Sequence, residues 1–140
     1  MSVNVKGLIW VGGRLILAER LRYGRKVLSL PGGRVREQES VLQALRRGVA
    51  EETGLAVEPG RLVYVYELAG SARRHELELI FLAELHGVPR LNRVRAIDVH
   101  GGERPPLTPS ILDLIVADAA SEWRDAPRWL DKPSAAAVGA

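Results

Sequence analysis

The segment SVLQALRRGVAEETG, Ser40 to Gly54, constrains the fold more than any other part of this sequence. Val41, Leu42, Leu45 and Val49 recur at helical spacing, with Gln43, Arg46, Arg47 and Ala50 largely on the other side. Ser40 offers an N-cap and Gly54 a C-terminal stop. One position resists: Gly48 falls in the helix interior, where glycine costs roughly 0.5–1 kcal/mol relative to alanine. At about 100° per residue, Gly48, Glu51 and Glu52 share one arc beside the apolar stripe. The two carboxylates therefore project together at the edge of the core.

The flanks read as strands. Residues 3–10 and 14–19 are short, apolar and β-branched, and Val11-Gly12-Gly13 between them predicts a hairpin. Arg20 to Val27 is expected to be a basic connection, after which VLSL leads into the turn Pro31-Gly32-Gly33. Residues 61–69, 75–85 and 93–99 are three further strand-like segments. Thr108-Pro109, cap then first helical position, predicts a second helix running to about Trp123. Strands mixed with two helices indicate an α+β fold of αβα sandwich type. A chain of 140 residues suits one core, expected over residues 1–125, with 126–140 a partly irregular C-terminal tail.

Charge and composition narrow the partners. The net charge of +3 is almost all arginine, since Lys6, Lys26 and Lys132 are the only lysines. Such a surface suits phosphate-bearing partners, but no basic block is long enough to predict nucleic-acid binding. The absence of cysteine excludes disulfides and thiolate metal sites, and no apolar run has membrane-spanning length. The default expectation is a cytoplasmic protein with no membrane partner.

Glu51 and Glu52, with Glu39 ahead of the helix and backbone carbonyls from the Gly-Gly turn, are oxygen donors that suit a hard cation, Mg²⁺ or Mn²⁺. Gly33, Glu39, Arg47, Val49, Glu51, Glu52, Gly54 and Leu55 stand at the spacing of the Nudix box, G-x5-E-x7-R-E-U-x-E-E-x-G-U with U aliphatic. The chain thus resembles the Nudix hydrolase superfamily at every specified position but one. The leading hairpin, the LPGG entry and the later strands extend the likeness over about residues 3–120.

The resemblance implies an αβα sandwich with a mixed central sheet, and a metal-dependent hydrolase of a nucleoside diphosphate linked to another moiety, of the nucleotide triphosphate or nucleotide sugar type. By position it makes Glu51 and Glu52 metal ligands and catalytic residues, with the Gly32 carbonyl as a further ligand. Glu39 and Arg47 then tie loop to helix, and Gly33 and Gly54 permit the turns. Arg20, Arg22 and Arg25, with Lys26, are candidates for holding terminal phosphates of a nucleotide-type substrate, and Arg47 is grouped with them. A homodimer is compatible with this family.

Gly48 is the departure, because the family has there the first glutamate of R-E-U-x-E-E, a metal ligand and in some members a base. Either a loop after the box supplies the base, for which Asp98, His100 and Glu103 are the candidates, or the site belongs to a catalytically weakened nucleotide-binding or regulatory module. On this reading a carboxylate restored at position 48 would also stabilise the helix through propensity.

Overall fold

Alternation of apolar side chains along the first two strands decides the layering. The computed structural model describes residues 1–69, 75–87, 93–107 and 110–131. Strand β1 (Ser2–Val11) sends Val5 and Ile9 to one face and Leu8 to the other; β2 (Arg14–Arg22) sends Ile16 to the first and Leu15 and Leu17 to the second. The first face is covered by helix α1 (Val41–Thr53) through Ala44, Leu45 and Val49. The second is covered by α2 (Leu112–Ala120) through Leu112 and Ile115. A sheet packed by a helix on each face is the expected αβα sandwich.

Two tight hairpins start the sheet. Gly12 and Gly13, at φ +58° and +77°, turn β1 into β2. Tyr23 and Gly24, at +51° and +73°, turn β2 into β3 (Arg25–Ser29). Two successive left-handed residues are the requirement of a type I′ turn, whose twist matches that of the strands. The stretch from Arg20 to Val27, expected as a connection, is therefore mostly ladder, pairing Arg20 with Val27 and Arg22 with Arg25.

The strand order is β3-β2-β1-β6-β5-β8, with β5 at Val57–Ala69, β6 at His75–Leu85 and β8 at Arg128–Asp131. Parallel β1–β6 and β5–β8 pairs among antiparallel ones make it a mixed sheet. Strands β1 and β2 are in register only at Trp10↔Leu15 and Val11↔Arg14. Beyond that they fork: β1 continues with β4 (Gly32–Arg34), and β2 continues with β7 (Val94–Ile97).

The C-terminal part differs from expectation. Thr108 and Pro109 lie outside the described residues, and α2 begins after Ile111 without a side-chain cap. It ends before Trp123 because Glu122 and Trp123 both take left-handed φ, which reverses the chain. Part of the expected tail is then sheet, since β8 pairs with β5 from Tyr64↔Arg128 to Glu67↔Asp131, while 132–140 lie outside the described residues. Among the described residues, no helix is long and apolar enough to cross a membrane.

One polar group inside the second layer joins β5, α2 and β8. The buried Tyr64 hydroxyl donates to Asp118 at 2.7 Å, and Arg128 donates to the same carboxylate at 2.9 and 3.0 Å. Burial pushes the Asp118 carboxyl up, but the Arg128 and Tyr64 hydrogen bonds outweigh it and leave it below the usual range. Asp118→Ala would strip both donors of their acceptor. Its expected cost in urea unfolding is about 2–4 kcal/mol, against about 1 kcal/mol for Tyr64→Phe. A loss no larger than an ordinary surface substitution would show that the group does not hold the layer.

Candidate active site

Helix α1 carries the site, and its ends are fixed as the sequence suggests. The Ser40 hydroxyl accepts the Gln43 N–H at 3.1 Å, and the Gln43 side chain accepts the Ser40 N–H at 2.8 Å. Gly54 closes the helix at φ +77°. Leu42, read as part of the apolar stripe, faces solvent, and Ala44 takes the core position.

The interior glycine is required by a close approach of backbones. A Cβ on Gly48 would lie 2.7 Å from the Gly32 carbonyl carbon, 2.7 Å from the Gly33 nitrogen and 2.9 Å from the Gly32 oxygen. A Cβ on Gly32 would in turn meet the Val5 carbonyl oxygen of β1 at 1.9 Å. Helix α1, β4 and β1 therefore stack through glycines. This corrects the expectation that a side chain at position 48 would stabilise the helix: the propensity gain is outweighed by collision with main chain that has no rotamer to yield.

An arginine holds that contact closed. Arg47 donates to Glu39 at 2.6 and 2.9 Å, to the Arg34 carbonyl at 2.6 Å and to Glu51 at 2.9 Å. The Glu39 carboxylate also accepts the Arg36 N–H at 3.0 Å. The Arg47 hydrogen bonds, then the Arg36 N–H, lower the Glu39 carboxyl to about 2. Arg47, grouped by sequence with substrate-binding residues, lines the cleft next to this contact, with its guanidinium donating to protein oxygens.

Beside this contact opens a cleft of about 780 Å³. Glu51 and Glu52 form its helix wall, Gly32 and Gly33 its floor, and Arg20, Leu21 and Lys26 of the second hairpin the facing wall. Arg47 and Gly48 of the helix, Glu19, and Arg93 just before β7 also line it. Arg20 Nε donates to Glu52 at 2.6 Å, and the Gly32 N–H donates to the other Glu52 oxygen at 3.2 Å. The Glu52 side chain is 15% exposed and that of Glu51 is 56% exposed.

Among the described residues, no group of three or more His, Asp or Glu side chains is close enough to hold a metal. Glu51, Glu52 and the Gly32 carbonyl are hard oxygen donors, too few to complete a shell by themselves. They fit a divalent cation that shares its coordination with phosphate oxygens and water, the habit of Mg²⁺.

A second recess of about 410 Å³ adjoins the cleft across Arg20 and Leu21, and Arg22 reaches it. It is lined by Lys6, Ser29 and Glu78 among others. The buried Ser29 hydroxyl has no hydrogen-bond partner among the described residues. Burial pushes the Lys6 ammonium down and the Glu78 carboxyl up, each partly opposed by the charge of the other. Arg25 is exposed at the hairpin turn and lines neither space.

The structure does not bring Asp98, His100 and Glu103 to the cleft. They follow β7 at the end where Ile97 pairs with Leu15, roughly 16 Å along the strand from Arg93 at about 3.3 Å per residue. There they organise their own loop. Asp98 accepts the Gly101 N–H, Glu103 accepts the Asp98 N–H and pairs with Arg95, and His100 stacks on Trp10 at 5.4 Å. Sequence reasoning missed Arg93, which no periodicity marks, and Lys6 and Glu78. Those two occupy inward strand positions where apolar residues belong, a pattern that was available.

Two outcomes follow for the loop and helix. Gly48→Ala, despite its better helix propensity, is expected to lower stability by about 1–3 kcal/mol, and Gly48→Glu at least as much. Melting curves of the purified variants would decide, and an increase for Gly48→Ala would refute the close-packing account. Glu39 titrates lower in the folded chain than its unfolded value of roughly 4.3, so its tie is fully present above that value and is lost as pH falls through about 2. Between about pH 5 and about pH 2 the wild type should therefore lose more stability than Glu39→Gln, measured by unfolding at each pH.

Comparison with known proteins places this geometry. No curated protein matches the chain at a significant level. Among solved structures, the solution structure of the E. coli ORF135 protein superposes with TM-score 0.74 at 24% identity, over 90% of this chain and 94% of that one. A MutT NUDIX hydrolase from Burkholderia pseudomallei superposes with TM-score 0.62 at 26% identity, over 76% and 88%. An ADP-ribose pyrophosphatase from Streptococcus suis superposes with TM-score 0.67 at 17% identity, over 94% and 98%. The NUDIX domain matches residues 2–105, most of the described sheet together with all of α1, and the chain belongs to that family of hydrolases.

Proposed function

We propose that the chain is a metal-dependent hydrolase of a nucleoside diphosphate linked to another moiety, of the nucleotide triphosphate or nucleotide sugar type. The observation that carries this is the cleft itself, where Glu51 and Glu52 face Arg20 and Lys26 across a floor of glycine backbone. Carboxylates for a cation, and a guanidinium and an ammonium for phosphate oxygens, stand on opposite walls of one space.

Glu51 and Glu52, with the Gly32 carbonyl, would hold the divalent cation, which when bound would neutralise phosphoryl charge and acidify water. Arg20 turns its fork from Glu52 to the phosphate oxygens, and Lys26 adds a second charge. Glu52 stays oriented by the Gly32 N–H, and Glu51 by Arg47. Water adds to one phosphorus atom as the bridging P–O bond breaks, and Glu51, the more exposed carboxylate, takes the proton of the water. The departing phosphate carries away the electron pair of that bond. The recess beyond Leu21, lined by Lys6, Ser29 and Glu78, adjoins the cleft and is the space assigned to the nucleoside portion.

A phosphate-release screen over nucleoside triphosphates and nucleotide sugars with Mg²⁺ or Mn²⁺ tests the reading. Turnover abolished by chelator is expected, and Glu52→Gln should lower kcat/KM at least tenfold on the best substrate. Tight nucleotide binding with no turnover under any metal would favour the binding-module alternative. Unchanged metal dependence in a folded Glu51→Gln, Glu52→Gln double variant would remove the cation assignment.

A further inference from the structure

The carboxylates of the cleft are already matched with cations. Glu52 is held by Arg20, Glu51 has Arg36 at 3.6 Å as well as Arg47, and Glu19 has Lys26 at 4.0 Å. Arg93 is different. Among the described residues its guanidinium has one partner, the Glu51 backbone carbonyl at 3.3 Å, and it has no carboxylate. It is therefore the surplus positive charge of the cleft lining.

Its backbone is also held in an unusual state. Arg93 has φ +55°, a left-handed conformation that costs a residue with a Cβ about 1 kcal/mol, and its carbonyl is fixed by the Glu19 N–H at 2.8 Å. Strain of this kind persists where the surrounding structure imposes it. Here the anchor is the strand that also carries Arg20, so both guanidinium groups are set from one element, Arg20 bonded to the Glu52 side chain and Arg93 to the Glu51 carbonyl.

The same pairing disfavours a cation arriving alone. A divalent ion would have to displace an arginine to reach either carboxylate, and position 48 cannot supply a third, since its Cβ would strike the Gly32 and Gly33 backbone. A diphosphate meets the opposite situation, because its charge is complementary to Arg93 and releases Arg20 from Glu52. We propose that Arg93 is a substrate-phosphate ligand which, together with Arg20, lets the cleft bind a nucleoside diphosphate without a divalent cation. The metal then enters with or after the anion. This rests on the hydrolase reading for the identity of the anion and goes beyond it in naming the residue and the order of binding.

The test is calorimetric titration of the full chain with α,β-methylene-ADP, which cannot be hydrolysed at the methylene bridge, in EDTA and again in Mg²⁺. Wild type is expected to bind in EDTA within about threefold of its affinity in Mg²⁺. Arg93→Gly, which keeps the left-handed backbone accessible, should retain or raise the melting temperature yet lose at least tenfold in affinity in EDTA, and Arg93→Lys should fall between. Binding that requires Mg²⁺, or an Arg93→Gly variant that binds as wild type does, overturns the proposal. If metal-dependent turnover persists while EDTA binding is absent, the hydrolase reading stands and this inference alone fails. Binding under neither condition, with no turnover on any nucleotide, removes both.

Discussion

The site depends on a contact without side chains. Helix α1 meets β4 where Gly48 lies against the main chain of Gly32 and Gly33, and β4 meets β1 where Gly32 lies against Val5. Any methyl group at either position forces the layers apart. The approach brings the Gly32 N–H within reach of Glu52, so the orientation of this cleft carboxylate is set by backbone packing one turn earlier in the helix. Arg47 and Glu39 then fasten the intervening loop, which leaves the geometry little freedom.

Charge in the cleft follows from the same contact. A glycine where the Nudix-box pattern has a carboxylate changes the electrostatics of the cleft as well as its shape. The remaining acids of the lining are matched by arginines and by Lys26. The charge of the cleft is thus a property of the whole lining, including residues outside the helix.

Much of this was legible in the sequence where local chemistry decides structure. The capping residues of α1, the Gly12-Gly13 turn and the apolar alternation of β1 and β2 each announce their element through propensity or period. The clustering of Glu51 and Glu52 on one arc likewise needed only helical geometry. What stayed hidden was tertiary. Tyr23 masks a type I′ turn because its left-handed φ is imposed by the strands around it. The strand β8 is four residues long and gains its stability from β5 and from Arg128 on Asp118. Spacing alone could not tell a vacated carboxylate position at Gly48 from a packing requirement, and it could not place the 98–103 loop at the far end of its strand.

The fork between β1 and β2 has a bearing on how the molecule comes together. Their hairpin and the next one join near neighbours in the chain, and such turns form in roughly microseconds. The floor of the cleft needs partners from much further away. Strand β1 must receive β6 in parallel across more than half the chain, from Ser2↔Glu76 onward, and must also receive β4 before α1 can dock on it. Loop closure over such separations is the slow, entropically costly part of folding. The floor of the cleft thus rests on long-range pairings as well as on local turns. A ligand that binds there only in the folded molecule stabilises the entire fold by RT ln(1 + [L]/Kd), an amount set by its free concentration relative to its dissociation constant.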